Sequence, residues 1–532
     1  MRLQRAGAEP RGCLHDGDEG EGGVSAPMDT AMSPPAPEPM ASGGGQVAGA
    51  EPWSQRWGDR LNPLVVKELR QGLRTRVFWV CFGLMLLACL AVALVAYVDT
   101  REGAYARRGQ GYFFSFFVCL GVAHFFVIPY SAYRSLARER EDETWVLLVL
   151  TGLGPRRILR GKVASFLVQA ALYASAAGPF LLFSYFLNGI TLPTILVVLA
   201  LGGAWLVFLT VASVCAATLA DGRMGRAFVH FGLLGALGLA LVQGLGAAYA
   251  ISEMGDRFLN DVEFLYLVGT ALMLMLMDGW LLFEAAASRL SLPTEDYTRG
   301  PRRAVGVQVL VGMLAGCAIW WLTGRKHSVP EMFSLLGGVH LLGVGMFVVA
   351  DVDGQARPLR ATTRPWSVLR PGALRGFRWM VFLLGAWSAL FWGLQVGSSD
   401  LPLKGLSLRM ATLALPAYGV LFLSLAVWLG RKVRPDRLAT PVAVRLMFVA
   451  SVALASALPP LVAVLMGFDG DDPILNLFNP VVGIANFATY DYGASGPKMS
   501  WDLLGAVVGL ALVAAYGTDR MLVARERRAH TS

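Results

Sequence analysis

Twelve apolar stretches of about 20 residues each constrain the fold of this 532-residue chain more than any other feature. An α-helix of that length crosses the roughly 30 Å hydrocarbon core of a bilayer. Charged residues make up 16% of the chain and the mean hydropathy is +0.53, whereas a soluble domain carries about 25% charged residues. The sequence therefore predicts an all-α, polytopic bundle of about twelve transmembrane helices. The predicted spans are 77–98, 111–133, 163–187, 193–219, 227–251, 263–287, 304–323, 332–351, 379–398, 410–429, 446–467 and 501–518.

The basic residues predict the orientation of the chain. If the N-terminus is cytoplasmic, the inner segments between spans together with 54–76 and 519–532 carry 34 Lys and Arg, and the outer segments carry 9. Short cytoplasmic segments are enriched in Lys and Arg, so both termini are expected to be cytoplasmic. The net charge of +9 then reflects membrane orientation, and no nucleic-acid partner is predicted.

Outside the spans the chain is divided into short segments, and no large soluble domain is predicted. Glycine, proline and acidic residues predict a disordered tail at the N-terminus, and an apolar stripe predicts an amphipathic helix in the cytoplasmic interface. The predicted order is a tail (1–52), the interfacial helix (53–76), a six-span region (77–290) with a basic segment (134–162), spans seven and eight (291–352), a basic loop (353–378), four further spans (379–518) with an external loop (468–500), and a basic tail (519–532).

Two of these segments carry further expectations. The basic loop 353–378 contains three prolines and divides the spans into eight and four. Whether this means a self-contained pair of halves or one subunit of a dimer stays open at this level. In the external loop, the stretch from Ile474 to Phe487 is apolar enough to dip back into the membrane or to cover the outer mouth.

The segment 134–162 contains six consecutive charged residues, from Arg138 to Glu143. Such a run does not lie in hydrocarbon, so the segment is expected at or beyond the membrane interface. An apolar stretch, a Gly-Pro break and a second basic helix start follow it. We expect a soluble partner to dock here. The alternative is that the basic residues only anchor the second and third spans to anionic lipid headgroups.

Short motifs on both sides of the first two spans resemble the permease subunit of ABC transporters of the type 2 exporter class. The matching residues before the first span are Asn62, Pro63, Lys67, Glu68 and Leu69. After the second span they are Glu139, Arg140, Glu141, Thr144, Leu147, Leu148, Pro155, Gly161 and Lys162. The resemblance covers about residues 60–290.

This resemblance implies a coupling helix that docks on a separate ATPase subunit and carries its motion into the spans. The residues expected to act in coupling are Arg138, Glu139, Arg140, Glu141, Glu143, Thr144, Trp145, Gly161 and Lys162. It further implies a bacterial inner-membrane exporter, in which a second permease or a second copy of the chain is a further expected partner. ATP and Mg²⁺ would be bound by the ATPase subunit.

No catalytic or nucleotide-binding motif is found in this sequence. Gly154 and Gly161 precede Lys162, but six residues separate the glycines and Val163 follows the lysine, which a phosphate loop does not allow. The six cysteines form no C-x-x-C pair, and no metal site is predicted. The chain is therefore not expected to be an enzyme or to hold a cofactor.

Two alternatives remain. The run Asp221-Gly222-Arg223-Met224-Gly225-Arg226 resembles the Asp-Arg-x-Gly-Arg loop of twelve-span major facilitator transporters, although it has an extra glycine and follows the fourth span. A proton-coupled secondary transporter is thus the second hypothesis. An intramembrane enzyme is the third, although neither H-E-x-x-H nor G-x-S-x-G occurs.

Four ionisable residues within the predicted spans are further site candidates: Asp278, Glu284, His124 and His230. A charged side chain in hydrocarbon is costly and often marks a substrate or proton pathway. The competing interpretation is that each one only makes hydrogen bonds with a neighbouring helix. Asp278 is expected to pair with a histidine or to line a pathway.

Overall fold

A computed structural model describes residues 63–101, 109–142, 154–220, 222–292, 295–353, 367–399, 406–433, 440–467, 474–490 and 499–531. Within these residues, twelve helices are long and apolar enough to cross a membrane, one for each predicted span. The all-α, polytopic fold is therefore confirmed. The helices are α1 (Pro63–Leu73), α2 (Arg76–Arg101), α3 (Gly109–Val122), α4 (Ile128–Glu141), α5 (Pro155–Phe186), α6 (Leu192–Ala216), α7 (Arg223–Met254), α8 (Val262–Leu290), α9 (Arg299–Leu322), α10 (Ser328–Val349), α11 (Ala373–Val396), α12 (Arg409–Val433), α13 (Thr440–Met466), α14 (Pro480–Asn486) and α15 (Trp501–Thr531).

Helices α3 and α4 form one continuous second span. A π-helical turn at Ala123–Val127 joins them, and it contains His124. We call the side of the membrane at which α4 ends and α5 begins the basic side, and the other side the opposite side. The basic side is the one that the Lys and Arg distribution predicts to be cytoplasmic.

The helices pack around two hydrophobic cores. The first core includes buried residues from Phe78 to Leu290, and the second includes buried residues from Val305 to Leu522. Helices α1–α8 thus form a first bundle and α9–α15 form a second bundle, and α8 packs against α9 where they meet. Spans seven and eight therefore belong with the last four, so the packing divides the spans into six and six. The basic loop between spans eight and nine is not the boundary.

Helix α1 lies just before the first span, as the sequence predicts. It begins at Pro63, and the predicted stretch 53–62, which contains Asn62, lies outside the described residues. The chain leaves α1 at Arg74 and Thr75, where the Thr75 hydroxyl donates to the Gly72 carbonyl and accepts from the Phe78 amide. This turn separates the interfacial helix from α2.

Several helices extend beyond the predicted spans on the basic side. The predicted tail 519–532 continues α15 as far as Thr531. Leu522 is buried in the second core, and Glu526 pairs with Arg375 at 2.6 Å. These contacts with the second bundle explain why the segment is helical although it is too polar to lie in the membrane.

On the opposite side, the segment 474–490 between α13 and α15 folds onto the second bundle. Its helix α14 begins after Asn479, whose side chain accepts from the amides of Val481 and Val482. Tyr418 of α12 donates to the Leu477 carbonyl at 2.6 Å, and Phe487 is fully buried. A two-residue antiparallel ladder pairs Leu406–Ser407 with Thr489–Tyr490. The segment thus covers the end of α12.

Candidate functional site

The helices on either side of the predicted coupling segment converge on the basic side. Helix α4 ends at Glu141, and α5 begins at Pro155 after Gly154. Glu143, Thr144 and Trp145 lie outside the described residues. The structure therefore describes the two ends of the coupling segment.

A buried ion-pair cluster joins these two ends to the interfacial helix. The Lys162 ammonium lies 2.7 Å from Glu139 Oε1 and 3.2 Å from Glu68 Oε2, and it donates to Ser135 Oγ at 3.1 Å. Lys162 is 1% exposed and Glu68 is 7% exposed. We call Glu68, Ser135, Glu139 and Lys162 the Lys162 cluster. It connects α1, α4 and α5 at one point.

The electrostatics of the Lys162 cluster make it a rigid joint. One ammonium is shared by two carboxylates, so each charge has a partner at hydrogen-bonding distance. Charge-assisted hydrogen bonds of this kind are strong, whereas a buried charge left without its partner is strongly destabilising. The three helices are therefore held together at their basic ends.

Two of the residues predicted to act in coupling lie inside the first bundle. Gly161 and Lys162 were expected to act in coupling, but both are buried within the first bundle. Neither one is exposed to a partner. Glu68, Glu139 and Lys162 come from three separate motifs, and only the folded chain brings them together.

An exposed surface lies beside the cluster. Arg138 and Glu141 point away from the core, and Arg226 Nε of α7 lies 3.9 Å from Glu141 Oε1. Arg140 donates to the Ala217 carbonyl at 2.8 Å, which fixes α4 against the end of α6. A concavity of about 430 Å³, which we call the basic concavity, opens here. Its charged lining residues are Arg134, Arg138, Glu141, Arg223 and Arg226.

Helix α1 packs on α5 with its polar face outward. Lys67 is exposed, Leu69 is half-buried and Glu68 points into the Lys162 cluster. The helices approach closely at Gly72, because a Cβ at this position would lie 2.5 Å from Gln169 Nε2. The amphipathic pattern predicted this helix and its exposed residues correctly, but it did not predict the contact with α5.

A second polar group lies inside the membrane where the two bundles meet. Asp278 of α8 accepts from the Gln308 amide of α9, and its Oδ1 lies 3.4 Å from His340 Nε2 of α10. The Gln308 and His340 nitrogens are 2.9 Å apart. Asp278 is about 18 Å along α8 from Leu290, well within the span. The histidine beside Asp278 is His340, so the neighbour that the first of the two hypotheses requires is present.

The other intramembrane candidates have separate partners. Glu284 accepts from Arg156 at 2.8 Å, near the basic ends of α8 and α5. His124 Nε2 lies 3.1 Å from the Ala170 carbonyl, and the His230 ring packs edge-on against Tyr130. Asp278, Glu284, His124 and His230 therefore do not form one site.

Sequence reasoning missed a third polar cluster, which organises the basic side of the second bundle. Arg302 is 2% exposed and lies 2.9 Å from Asp351 Oδ2. It also donates to the carbonyls of Val368, Arg370 and Gly372. The sequence places Arg302 just before predicted span seven and Asp351 at the end of predicted span eight, and their opposite charges are a signal for this pair. Charged residues at the ends of spans are also common as ordinary interfacial residues, so this signal is not specific.

The same cluster contains a buried tyrosine outside the spans. Tyr297 donates to Asp351 Oδ1 at 2.9 Å. Burial and the neighbouring Asp351 carboxylate raise the pKa of Tyr297 above its ordinary value of 10.0. Its hydroxyl therefore stays protonated at neutral pH and acts as a hydrogen-bond donor to Asp351.

Comparisons with known proteins do not identify the chain, because no family model, curated protein or solved structure matches it. Within the described residues, no three His, Cys, Asp or Glu side chains come together as a metal site. Fold and sequence define the class: a multi-pass, α-helical membrane protein with two bundles of six spans.

Proposed function

We propose that this chain is the membrane-spanning permease subunit of an ATP-driven exporter in a bacterial inner membrane. In this proposal a separate ATPase subunit binds ATP and Mg²⁺ and docks on the segment 134–162. The bilayer surrounds the spans, and the two six-span bundles take the places of two permease halves.

The Lys162 cluster is the observation that carries this proposal. A docked ATPase can move the spans only if the segment on which it pushes is rigidly attached to them. The cluster fastens α4 and α5, the two helices that flank the segment, to each other and to α1. The interfacial helix then moves with them as one body.

The exposed charges of α4 supply a surface for docking. Arg138, Glu141 and Asp142 are exposed at its end, and the basic concavity lies beside them. Exposed charges of both signs orient a partner and speed its association, while apolar and aromatic groups supply most of the binding energy. Both kinds of residue occur in the segment, because Trp145 and several leucines follow the charged run.

The test is affinity co-purification of the intact chain in mild detergent. The variant combines Arg138→Ala, Glu141→Ala and Asp142→Ala, which changes exposed charges and leaves the Lys162 cluster intact. An ATPase with a phosphate-loop sequence should co-purify with the unchanged chain, hydrolyse ATP, and be lost with this variant.

The matched control removes an exposed ion pair on the opposite side, Glu263 with Lys326 at 3.1 Å. The variant with Glu263→Ala and Lys326→Ala should retain the ATPase. The proposal is rejected if a folded, unchanged chain brings down no ATPase, or if both variants retain it equally.

The Asp278–His340 contact favours a second candidate function, a twelve-span proton-coupled transporter. A carboxylate beside an imidazole inside a membrane is an arrangement that can hold and release a proton. If this function is correct, the protein should carry protons across the membrane of proteoliposomes that contain a pH-sensitive dye and no ATPase. Asp278→Asn should abolish this proton flux. Flux that is equal in the variant and in the unchanged protein would exclude this candidate.

A further inference from the structure

A long apolar groove runs along the second bundle between spans eleven and twelve. Helices α13 and α15 both pack against α12, which forms the floor of the groove. The groove has a volume of about 950 Å³ and is lined almost entirely by apolar side chains. Two lining hydroxyls are already satisfied, because Ser424 donates to the Val420 carbonyl and Ser451 donates to the Phe448 carbonyl. The walls are therefore suited to an apolar occupant.

The dimensions of the groove fit an extended hydrocarbon chain. Its α13 wall extends from Met447 to Val462, or about 22 Å at 1.5 Å per residue. That is most of the roughly 30 Å hydrocarbon core. Small residues such as Ala450, Ala514 and Gly517 line the walls and leave the space open, and a Cβ at Gly517 would meet no atom within 4 Å.

The two ends of the groove differ in chemistry. At the end on the opposite side, Leu475 and Phe478 contribute apolar side chains to the lining. On the basic side, Lys432 is one helical turn beyond the lining residue Trp428, and its ammonium lies 3.8 Å from the centre of the Trp428 ring. Arg525 is likewise one turn beyond the lining residue Met521. Residues four apart share a helix face, so both cations follow the groove towards the membrane surface.

The charge on the basic side is incompletely balanced within the described residues. Asp353 is shared by two guanidinium groups, at 3.0 Å from Arg431 and 3.8 Å from Arg525. Lys432 follows Arg431 on α12 and adds a third positive charge at this end of the groove. A positive surplus at the interface attracts an anionic headgroup.

We propose that this groove binds one acyl chain of an anionic glycerophospholipid from the leaflet on the basic side. The chain lies between α13 and α15, with its end towards Phe478. The phosphate lies at the surface near Lys432 and Arg525. This site does not depend on the proposed coupling to an ATPase, because it is built entirely from the second bundle.

The first test fills the groove. Gly517→Trp and Ala450→Trp place a large side chain in it from α15 and from α13. The control is Gly509→Trp, since a Cβ at Gly509 also meets no atom within 4 Å and this residue does not line the groove. Lipid that remains with the detergent-purified chain is identified and counted by native mass spectrometry. The unchanged chain and the control should retain one phosphatidylglycerol per chain, and both filling variants should lose it.

The second test concerns the headgroup. Lys432→Gln should lower the preference for phosphatidylglycerol over phosphatidylcholine by about fivefold, as expected for one basic residue near the membrane surface. The control is Arg520→Gln, because Arg520 is exposed on α15 but lies over Tyr516 and does not line the groove. This control should leave the preference unchanged.

Three outcomes would overturn the proposal. Retention of the lipid by both filling variants would place it elsewhere on the protein. Equal loss in Gly509→Trp would indicate an unspecific effect of tryptophan. If the unchanged chain is a dimer in solution and Gly517→Trp is a monomer, a second copy of the chain occupies the groove.

Discussion

Replacing Lys162 by methionine tests the central joint of the first bundle. The substitution keeps most of the side-chain volume but removes the ammonium between Glu68 Oε2 and Glu139 Oε1. Two carboxylates then face each other in a buried site without a counter-charge. Breaking a buried ion pair in this way costs about 3–5 kcal/mol. At roughly 2 °C per kcal/mol, the Tm should fall by about 6–10 °C.

The assay is thermal unfolding in detergent, followed by a thiol-reactive dye. Cys89 and Cys215 are buried in the first core and become reactive when it unfolds. The control is Arg160→Met, which removes an exposed positive charge two residues away on the same helix. Its effect should stay within about 0.5 kcal/mol, as for ordinary surface substitutions.

A compensating variant separates the charge effect from a packing effect. Combining Lys162→Met with Glu68→Gln and Glu139→Gln removes all three charges together. Replacing a whole buried ion-pair group by neutral residues is often close to neutral. Most of the lost stability should therefore return. If Lys162→Met alone unfolds at the same temperature as the unchanged protein, the reasoning about this joint is wrong.

Three further substitutions test other contacts. Arg302→Met should cost about 3–5 kcal/mol, because it leaves the buried Asp351 carboxylate without its cation. Gly72→Leu should cost about 1–3 kcal/mol and expose α1 to proteolysis, because its side chain collides with Gln169. Tyr297→Phe should cost about 1–3 kcal/mol at neutral pH, because Asp351 loses a donor. Because the pKa of Tyr297 is raised in the folded protein, the folded state keeps this proton at pH values at which the unfolded state has lost it. The unchanged protein should therefore lose stability more steeply than this variant as pH rises above 10.0.

These three predictions have their own controls, measured by the same unfolding assay. Arg303→Met changes an exposed arginine beside Arg302, and it should have little effect. Gly83→Leu adds a side chain at a glycine with no atom within 4 Å, so it should be tolerated. Parallel stability curves for Tyr297→Phe and the unchanged protein above pH 10.0 would contradict the account of Tyr297.

The local pattern of the sequence was sufficient to predict the elements of this fold. Each apolar run near 20 residues corresponds to one described span, and the polar face of α1 contains Lys67, Arg70 and Gln71, all exposed. These predictions succeeded because backbone hydrogen bonding and hydrophobic burial act within one helix. The grouping of the helices was not predictable in this way. The basic loop 353–378 with its three prolines suggested eight and four spans, whereas packing gives six and six.

The candidate site was predicted residue by residue but not as an arrangement. Glu68, Glu139 and Lys162 were identified as members of three motifs, and only the fold shows that they form one buried cluster. Asp278 was expected to pair with a histidine, but its connection to Gln308 was not foreseen. Sequence reasoning did not identify Arg302, which is buried in the first turn of α9.

The sequence alone determined that this chain is a helical membrane protein, where its spans lie, and which orientation its charges favour. These properties depend on the transfer of each segment between water and lipid, which is a sum over that segment's own residues. Tertiary structure decided which helices share a core and which charges meet. Those contacts join residues that are far apart in the chain, such as Glu68 with Lys162 and Arg302 with Asp351. No local pattern specifies them, because they depend on how separate helices pack together.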